Sequence, residues 1–313
     1  MHRRRLLLLG LAATASIVLF MTVNQRGDLW FAMELRSVRL AALLQVAVSV
    51  ALSTLVFQTI TANHILTPSI MGMDALYILI QTSLVFALGG LGYAGLNAQS
   101  KFGVEVVLMA ALAWGLFLPL LRYSNALVLM LLGGIVLGVL FRSLSSLLAR
   151  LIDPNDFAVV QSVSYADFNT VNGDLLLPGL ALTMAALIVS WRQRHRLDIV
   201  LLGKSTAIGL GIDWPVLAVG LMVMVGTLVA VSTAMVGPVT FLGLLVVALS
   251  RRIVGSDRHG PLIIGSSLIS VILLVGGQTL VGSYLGNALP LGVVFEFAGG
   301  IAFVLMLFYG RRL

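Results

Sequence analysis

The sequence predicts an all-α membrane protein of about ten transmembrane helices, and three observations predict it. Hydrophobic residues make up 59% of the 313 and charged residues only 10%, against roughly 25% charged in a soluble domain. The mean hydropathy is +1.08. The apolar residues fall into runs of about 20, the length that carries a helix across the hydrocarbon core of a bilayer, with the basic residues clustered between them.

In chain order the expected spans are 6–23, 38–60, 71–91, 103–121, 125–148, 174–191, 215–233, 235–250, 262–283 and 291–309. The first follows Met1-His2-Arg3-Arg4-Arg5 and has 18 residues. A signal-peptide core is shorter, about 7–15 residues, and Ala12-Ala13-Thr14-Ala15 lies inside the run, so this reads as an uncleaved span. The third span runs into Gly89-Gly90-Leu91-Gly92, and the eighth is short. The longest polar stretch without a basic residue lies in the connection 150–173, with Asp153, Pro154, Asn155, Asp156, Asp167 and Asn169. No polar tract is long enough for a separate soluble domain, so residues 1–313 read as one membrane domain.

Placing the N-terminus inside puts Arg3, Arg4, Arg5, Arg122, Arg192, Arg194, Arg196, Lys204, Arg251, Arg252, Arg258, Arg311 and Arg312 on the cytoplasmic side. The outer side receives Arg26, Arg36, Arg39, Lys101, Arg142 and Arg150. Thirteen against six is the bias of the positive-inside rule. Both termini are then cytoplasmic, which an even number of spans requires. The same distribution argues against nucleic acid as the partner of the net charge of +7.

Several chemistries are unsupported. The chain has no Cys, hence no disulfide or thiolate metal site, and its four His share no metal-ligand spacing. No P-loop is present, so any nucleotide chemistry belongs to another chain. The spans carry few ionisable residues: Glu105, Arg142 and Glu296, where the plainest account of Glu296 is a protonated or interhelically hydrogen-bonded carboxyl. An ion-coupled secondary transporter, the first alternative, would need paired midplane carboxylates; an intramembrane enzyme would need convergent His, Asp or Glu. Small residues at Gly134 and Gly138, and at Gly282 and Gly286, suit close helix packing. The runs at Gly89–Gly92, Gly276-Gly277 and Gly299-Gly300 are places where a helix can be interrupted.

Three stretches are unlike ordinary connections. Arg36 and Arg39, three apart on one helix face, open a small-residue helix that runs to Gln58 and is followed by Asn63-His64-Ile65-Leu66-Thr67-Pro68 and Gly72. Residues 198–214 are too punctuated to span a membrane and too apolar for a free loop. Two short helices meeting at glycines, packed on another protein or lying at the interface, would explain them. The third stretch is Gly237-Pro238 with Phe241, Gly243 and Leu244, continued by Arg251 and Gly255-Ser256-Asp257, and it pairs with Leu289-Pro290-Leu291-Gly292.

Together these resemble, in order along nearly the whole chain, the permease family of iron-siderophore and cobalamin ABC importers (the FecCD type). The resemblance implies two permeases enclosing a path, two ATPase subunits on the cytoplasmic side where ATP and Mg act, and a periplasmic siderophore-binding protein above. This chain would bind no cofactor of its own, and a ferric siderophore would be the cargo. Arg36 and Arg39 would dock acidic residues of the binding protein. Leu202, Gly203, Lys204, Ala207, Leu210, Gly211 and Asp213 would seat in the ATPase, with Lys204 and Asp213 as ion-pair candidates. Gly133, Gly134, Gly138 and Phe141, with Gly237 and Pro238, would lie near the path. The chain departs from the family at the 63–68 turn, at Glu296, where a small residue is usual, and near Ala248-Leu249, where a Pro-His is. The variant turn is similar to a branch whose permeases pair with a second, different permease and serve catecholate siderophores, so a heterodimer is expected over a homodimer. Cobalamin or haem are the other cargoes the family implies, and the bacterial inner membrane is the expected location.

Overall fold

A computed structural model describes residues 2–23, 29–123, 127–284 and 290–309. The described residues are helical throughout, without a strand. The helices are α1 (His2–Thr22), α2 (Leu29–Ile60), α3 (Asp74–Ala94), α4 (Ala98–Tyr123), α5 (Leu127–Ala149), α6 (Pro154–Val163), α7 (Leu176–Val200), α8 (Lys204–Gly209), α9 (Trp214–Val236), α10 (Leu242–Val254), α11 (His259–Tyr284) and α12 (Leu291–Tyr309). Seven helical stretches among the described residues are long and apolar enough to cross a membrane, and Leu291–Val304 is a shorter apolar one. The expected span 103–121 falls within α4. Arg26, Gly286, Leu289, Arg311 and Arg312 lie outside the described residues.

Burial sorts the helices. α2 and α9 form the centre: Ala42, Leu43, Val46, Ala47, Leu55, Val56 and Phe57 on α2 and Ala230 and Val231 on α9 are fully enclosed. α11 and α7 pack on α2, α4 on α9, and α1 on α11. α1, α4 and α7 turn uncharged side chains outward, among them Leu7, Leu11, Val107, Trp114, Met184 and Ile188. Such faces need lipid, because nothing else on the page removes them from water.

The helix ends group as an alternating topology requires. At one end His2 Nδ1 lies 2.8 Å from the Val254 carbonyl, and Arg5 donates to the Ile253 carbonyl at 3.1 Å. His259 meets Asp198 and Thr59 there as well. At the other end Arg36 bonds α1's last turn, and Gln278 donates to Asn169 at 3.1 Å.

Two expected spans are corrected. The third does not begin as a helix at 71: Ser69–Met73 is a widened turn in which Met71 and Gly72 leave helical geometry, with Gly72 at φ 93°. A Cβ on Gly72 would lie 2.8 Å from the Gly138 Cα, so the Gly134–Gly138 pair admits this turn, not a straight helix. The eighth, expected at 235–250, is not one helix. α9 ends at Val236, residues 237–241 are non-helical, and α10 starts at Leu242. Pro238 has no N–H to continue a helix, and Gly237 sits at φ 99° against the Tyr165 carbonyl. Of the three glycine runs, the first breaks its helix, at Gly89, while Gly276-Gly277 and Gly299-Gly300 stay helical within α11 and α12.

The connection 150–173 also holds a helix, α6, with Asp153 accepting from the Asn155 N–H and Pro154 in the first turn. That start signal was present in the sequence. α6 rests on α3 where Asp156 approaches Gly89 and Gly90. Residues 166–167 then bond the Val236 carbonyl and the Gly292 N–H, tying this connection to α9 and α12.

Candidate translocation and coupling sites

Non-helical backbone at membrane depth is tolerated where it is buried in protein or lines a cavity. Here two such segments, 61–73 and 237–241, meet beside the middle of α2, among Val50, Ser53 and Thr54. Asp74, at the head of α3, accepts a hydrogen bond from the Thr240 hydroxyl at 2.9 Å, and the same hydroxyl lies 3.4 Å from Glu296 on α12. Thr240 thus bridges two carboxyls. Arg142 on α5 is the charged side chain that offsets Asp74 at longer range. Asp74 and Thr240 were not singled out in the sequence, although a charge three residues into an expected span was a usable signal.

The expected path residues surround this junction. Gly134 and Gly138 hold Met71 and Gly72. Gly133 is half-buried beside them, and Phe141 packs on the core. Gly237 and Pro238 open the non-helical link that carries Thr240. Glu105, by contrast, is accounted for by packing: it accepts from Gln81 at 2.8 Å and lies 3.8 Å from Lys101, which in turn meets the Tyr93 hydroxyl and ring.

At the end bearing Arg36 and Arg39, a cavity of about 170 Å³ is lined by both arginines with Asn169, Gln278, Thr279 and Ser283. α2 starts seven residues before Arg36, so the pair sits inside the helix and not at its tip. Arg36 donates to the carbonyls of Phe20 and Val23 at 2.8 Å each and of Met21 at 3.3 Å. A cation placed on the last carbonyls of a helix complements its negative end. Arg36 therefore caps α1, and Arg39 is the arginine with no bond to a described residue.

At the opposite end the segment 198–214 is not two short helices. α7 runs through Asp198 to Val200, Gly203 turns the chain at φ 98°, α8 is a single helix of six residues, and Gly211 turns it again at φ 84°. Ala207 is fully buried and anchors α8, while Leu202, Ile208 and Leu210 stand 63%, 51% and 60% exposed. Asp213 accepts from the Val216 N–H at 3.4 Å and caps α9, and Lys204 begins α8. The segment is rooted by His259, whose Nδ1 and backbone N–H lie 2.8 and 2.7 Å from Asp198 Oδ1 and whose Nε2 lies 2.8 Å from the Thr59 hydroxyl. His259 is fully buried. The three partners are far apart in sequence, and no local signal joined them. Nearby, burial and the Arg251 guanidinium hold the His64 imidazole below its usual pKa. No group of three or more His, Asp or Glu able to hold a metal occurs among the described residues.

A model of the FecCD transport family matches residues 6–309. The petrobactin import system permease protein YclO of Bacillus subtilis is 41% identical over 302 residues, covering 96% of this chain and 95% of its own. FatC, a petrobactin import system permease protein of Bacillus anthracis, is 30% identical and covers 89% and 79%. The vitamin B12 import system permease protein BtuC of Vibrio cholerae is 29% identical and covers 98% and 94%. Among solved structures, a metal-chelate type ABC transporter in an inward-facing conformation superposes with a TM-score of 0.86 at 21% identity, over 98% of this chain and 99% of that one. The all-helical membrane architecture of the described residues and the extent of these matches lead to one assignment: the chain belongs to the FecCD transport family and is a multi-pass membrane permease.

Proposed function

We propose that this permease carries a ferric siderophore across the bacterial inner membrane as half of the path of an ATP-driven importer. The observation that carries the reading is the pairing of two differently built ends on one bundle. One end offers an arginine-lined cavity; the other offers an apolar, glycine-turned knob. The first suits an acidic partner and the second a groove in another protein. A binding protein with acidic lobe residues docks at Arg39, with Arg36 holding the rim. An ATPase receives Leu202, Ile208 and Leu210, and its closure moves α7 and α9 through Gly203 and Gly211. The ATPase supplies ATP and Mg chemistry, and this chain binds no cofactor for it. The similarity to the petrobactin import permeases YclO and FatC supports a siderophore cargo, and the variant 63–68 turn supports a catecholate type and a second, different permease as partner.

Charges at membrane depth also indicate which side faces the path. Arg142 is exposed on α5 and Glu296 half-exposed on α12, and neither can face lipid without a cost of about 2.5 kcal/mol or more. Arg142 and Glu296 both lie near Asp74, so the sides of α5 and α12 that carry them are assigned to the partner permease and the path between them.

The test is uptake of radiolabelled ferric siderophore by cells in which the chromosomal copy is replaced by charge-reversed Arg39→Glu. Uptake falls with the substitution and returns when a facing acidic residue of the binding protein is changed to Lys. Indifference of uptake to both charges would reject the docking assignment.

A further inference from the structure

The junction of the two non-helical segments encloses a cavity of about 10 Å³, room for one water-sized particle. Val50, Ser53, Thr54, Ser69, Asp74, Ser232, Thr233 and Thr240 are among the residues that line it. The hydroxyl protons are committed elsewhere: Ser53 donates to the Val50 carbonyl at 3.2 Å, Ser232 to Val229 at 3.0 Å, and Thr240 to Asp74 Oδ2 at 2.9 Å. What these three present to the cavity is oxygen lone pairs. Asp74 is 8% exposed, its Oδ1 accepts no hydrogen bond among the described residues, and the Ser69 hydroxyl lies beside the carboxyl.

Charge adds a second requirement. Asp74 and Glu296 share one hydroxyl, and the charged groups around Asp74 are Glu296 and Arg142. With both carboxyls ionised, two carboxylates against one guanidinium would leave one negative charge, to be neutralised by a proton or by a cation. The last turn of α9, with Ser232 and Thr233, also directs the negative end of a helix at the cavity. Helices broken at membrane depth bind ions in this way, with unwound backbone and hydroxyl oxygens around one carboxylate.

We propose that this cavity is a site for one small monovalent cation, a sodium ion, held by Asp74 Oδ1 and the oxygens of Ser53, Ser232 and Thr240. The cation joins the 61–73 turn to the 237–241 link and so fixes the head of α3 against α10 and α12. The site is independent of the cargo.

The experiment measures radiolabelled sodium binding and tryptophan-fluorescence melting on the purified importer in nanodiscs, with choline replacing sodium at constant ionic strength. With sodium as the occupant, the wild type binds about one ion per copy of this chain and melts higher in sodium than in choline. Asp74→Asn loses both effects, and Glu296→Gln weakens sodium binding by about tenfold. A wild type whose melting depends on pH but not on sodium would assign the charge to a proton on Asp74 and overturn the proposal. Should Asp74→Asn fail to assemble, Thr240→Val keeps the carboxyl and still weakens both sodium effects. A wild type that responds to neither sodium nor pH, or responds as Asp74→Asn does, would overturn the proposal and leave the cavity to a water molecule.

Discussion

His259 illustrates how much of this protein's order rests on single buried polar residues. Its ring accepts no exposure to water, and both nitrogens are occupied by partners on other helices, Asp198 on α7 and Thr59 on α2. Replacing it with Ala removes both ring bonds, about 0.5–1.5 kcal/mol each, and leaves a cavity, although Thr59 keeps the Leu55 carbonyl and Asp198 keeps the backbone N–H of residue 259. His259→Ala is therefore expected to lower the melting temperature of the purified importer substantially, and to raise ATP hydrolysis that is not matched by uptake, because α8 loses its root. His259→Asn, which keeps one bond to Asp198, recovers part of the melting loss; unchanged melting in both variants would show that the contact contributes nothing. The arginines divide in a similar way. Arg36→Ala removes the cap of α1 and costs about 1–2 kcal/mol in melting, whereas Arg39→Ala leaves melting unchanged and weakens binding-protein affinity by about tenfold. Arg36 and Arg39 were visible as a pair in the sequence. Their different jobs were not, because the α1 carbonyls that occupy Arg36 belong to a helix whose approach depends on packing.

Among the elements, the regular spans were legible and the irregular ones were not. Composition alone locates α2, α9 and α11, since a run of about 20 apolar residues has one economical conformation in lipid. The widened turn at Ser69–Met73 and the link 237–241 depend on tertiary fit, with Gly72 against Gly138 and Gly237 against Tyr165. Periodicity carries no record of such contacts. Gly72→Ala is expected to destabilise by about 2 kcal/mol or more, through both the positive φ and the 2.8 Å approach to Gly138; melting of the purified importer reads this directly. The coupling segment was recognised as an element but misdrawn. Its apolar residues suggested two helices, and the glycines at 203 and 211 leave room for one. Leu202→Glu combined with Leu210→Glu leaves the permease inserted in the membrane and abolishes co-purification with its ATPase. Retention of the ATPase by that variant would remove α8 from the interface.

For the molecule as a whole, the two ends and the side facing the path make sense only in an assembly. The apolar knob around α8, the arginine-lined cavity and the charged α5–α12 face are surfaces that a solitary membrane protein would not keep exposed. The sequence resemblance implies this arrangement of partners, and the match over residues 6–309 shows the family. What it could not anticipate was the acidic junction at Asp74, Thr240 and Glu296, which lies among the expected path residues. That junction supplies the paired carboxylates that an ion-driven carrier would use, so the energy source itself has to decide between the two. The deciding measurement is ferric siderophore uptake into proteoliposomes containing the full importer and its binding protein, with ATP present or absent on the ATPase side and ionophores added in turn. The account predicts uptake that requires ATP and the ATPase and persists when ion gradients are collapsed. Uptake that stops with the gradient while ATP remains, or that proceeds without the ATPase, would contradict it.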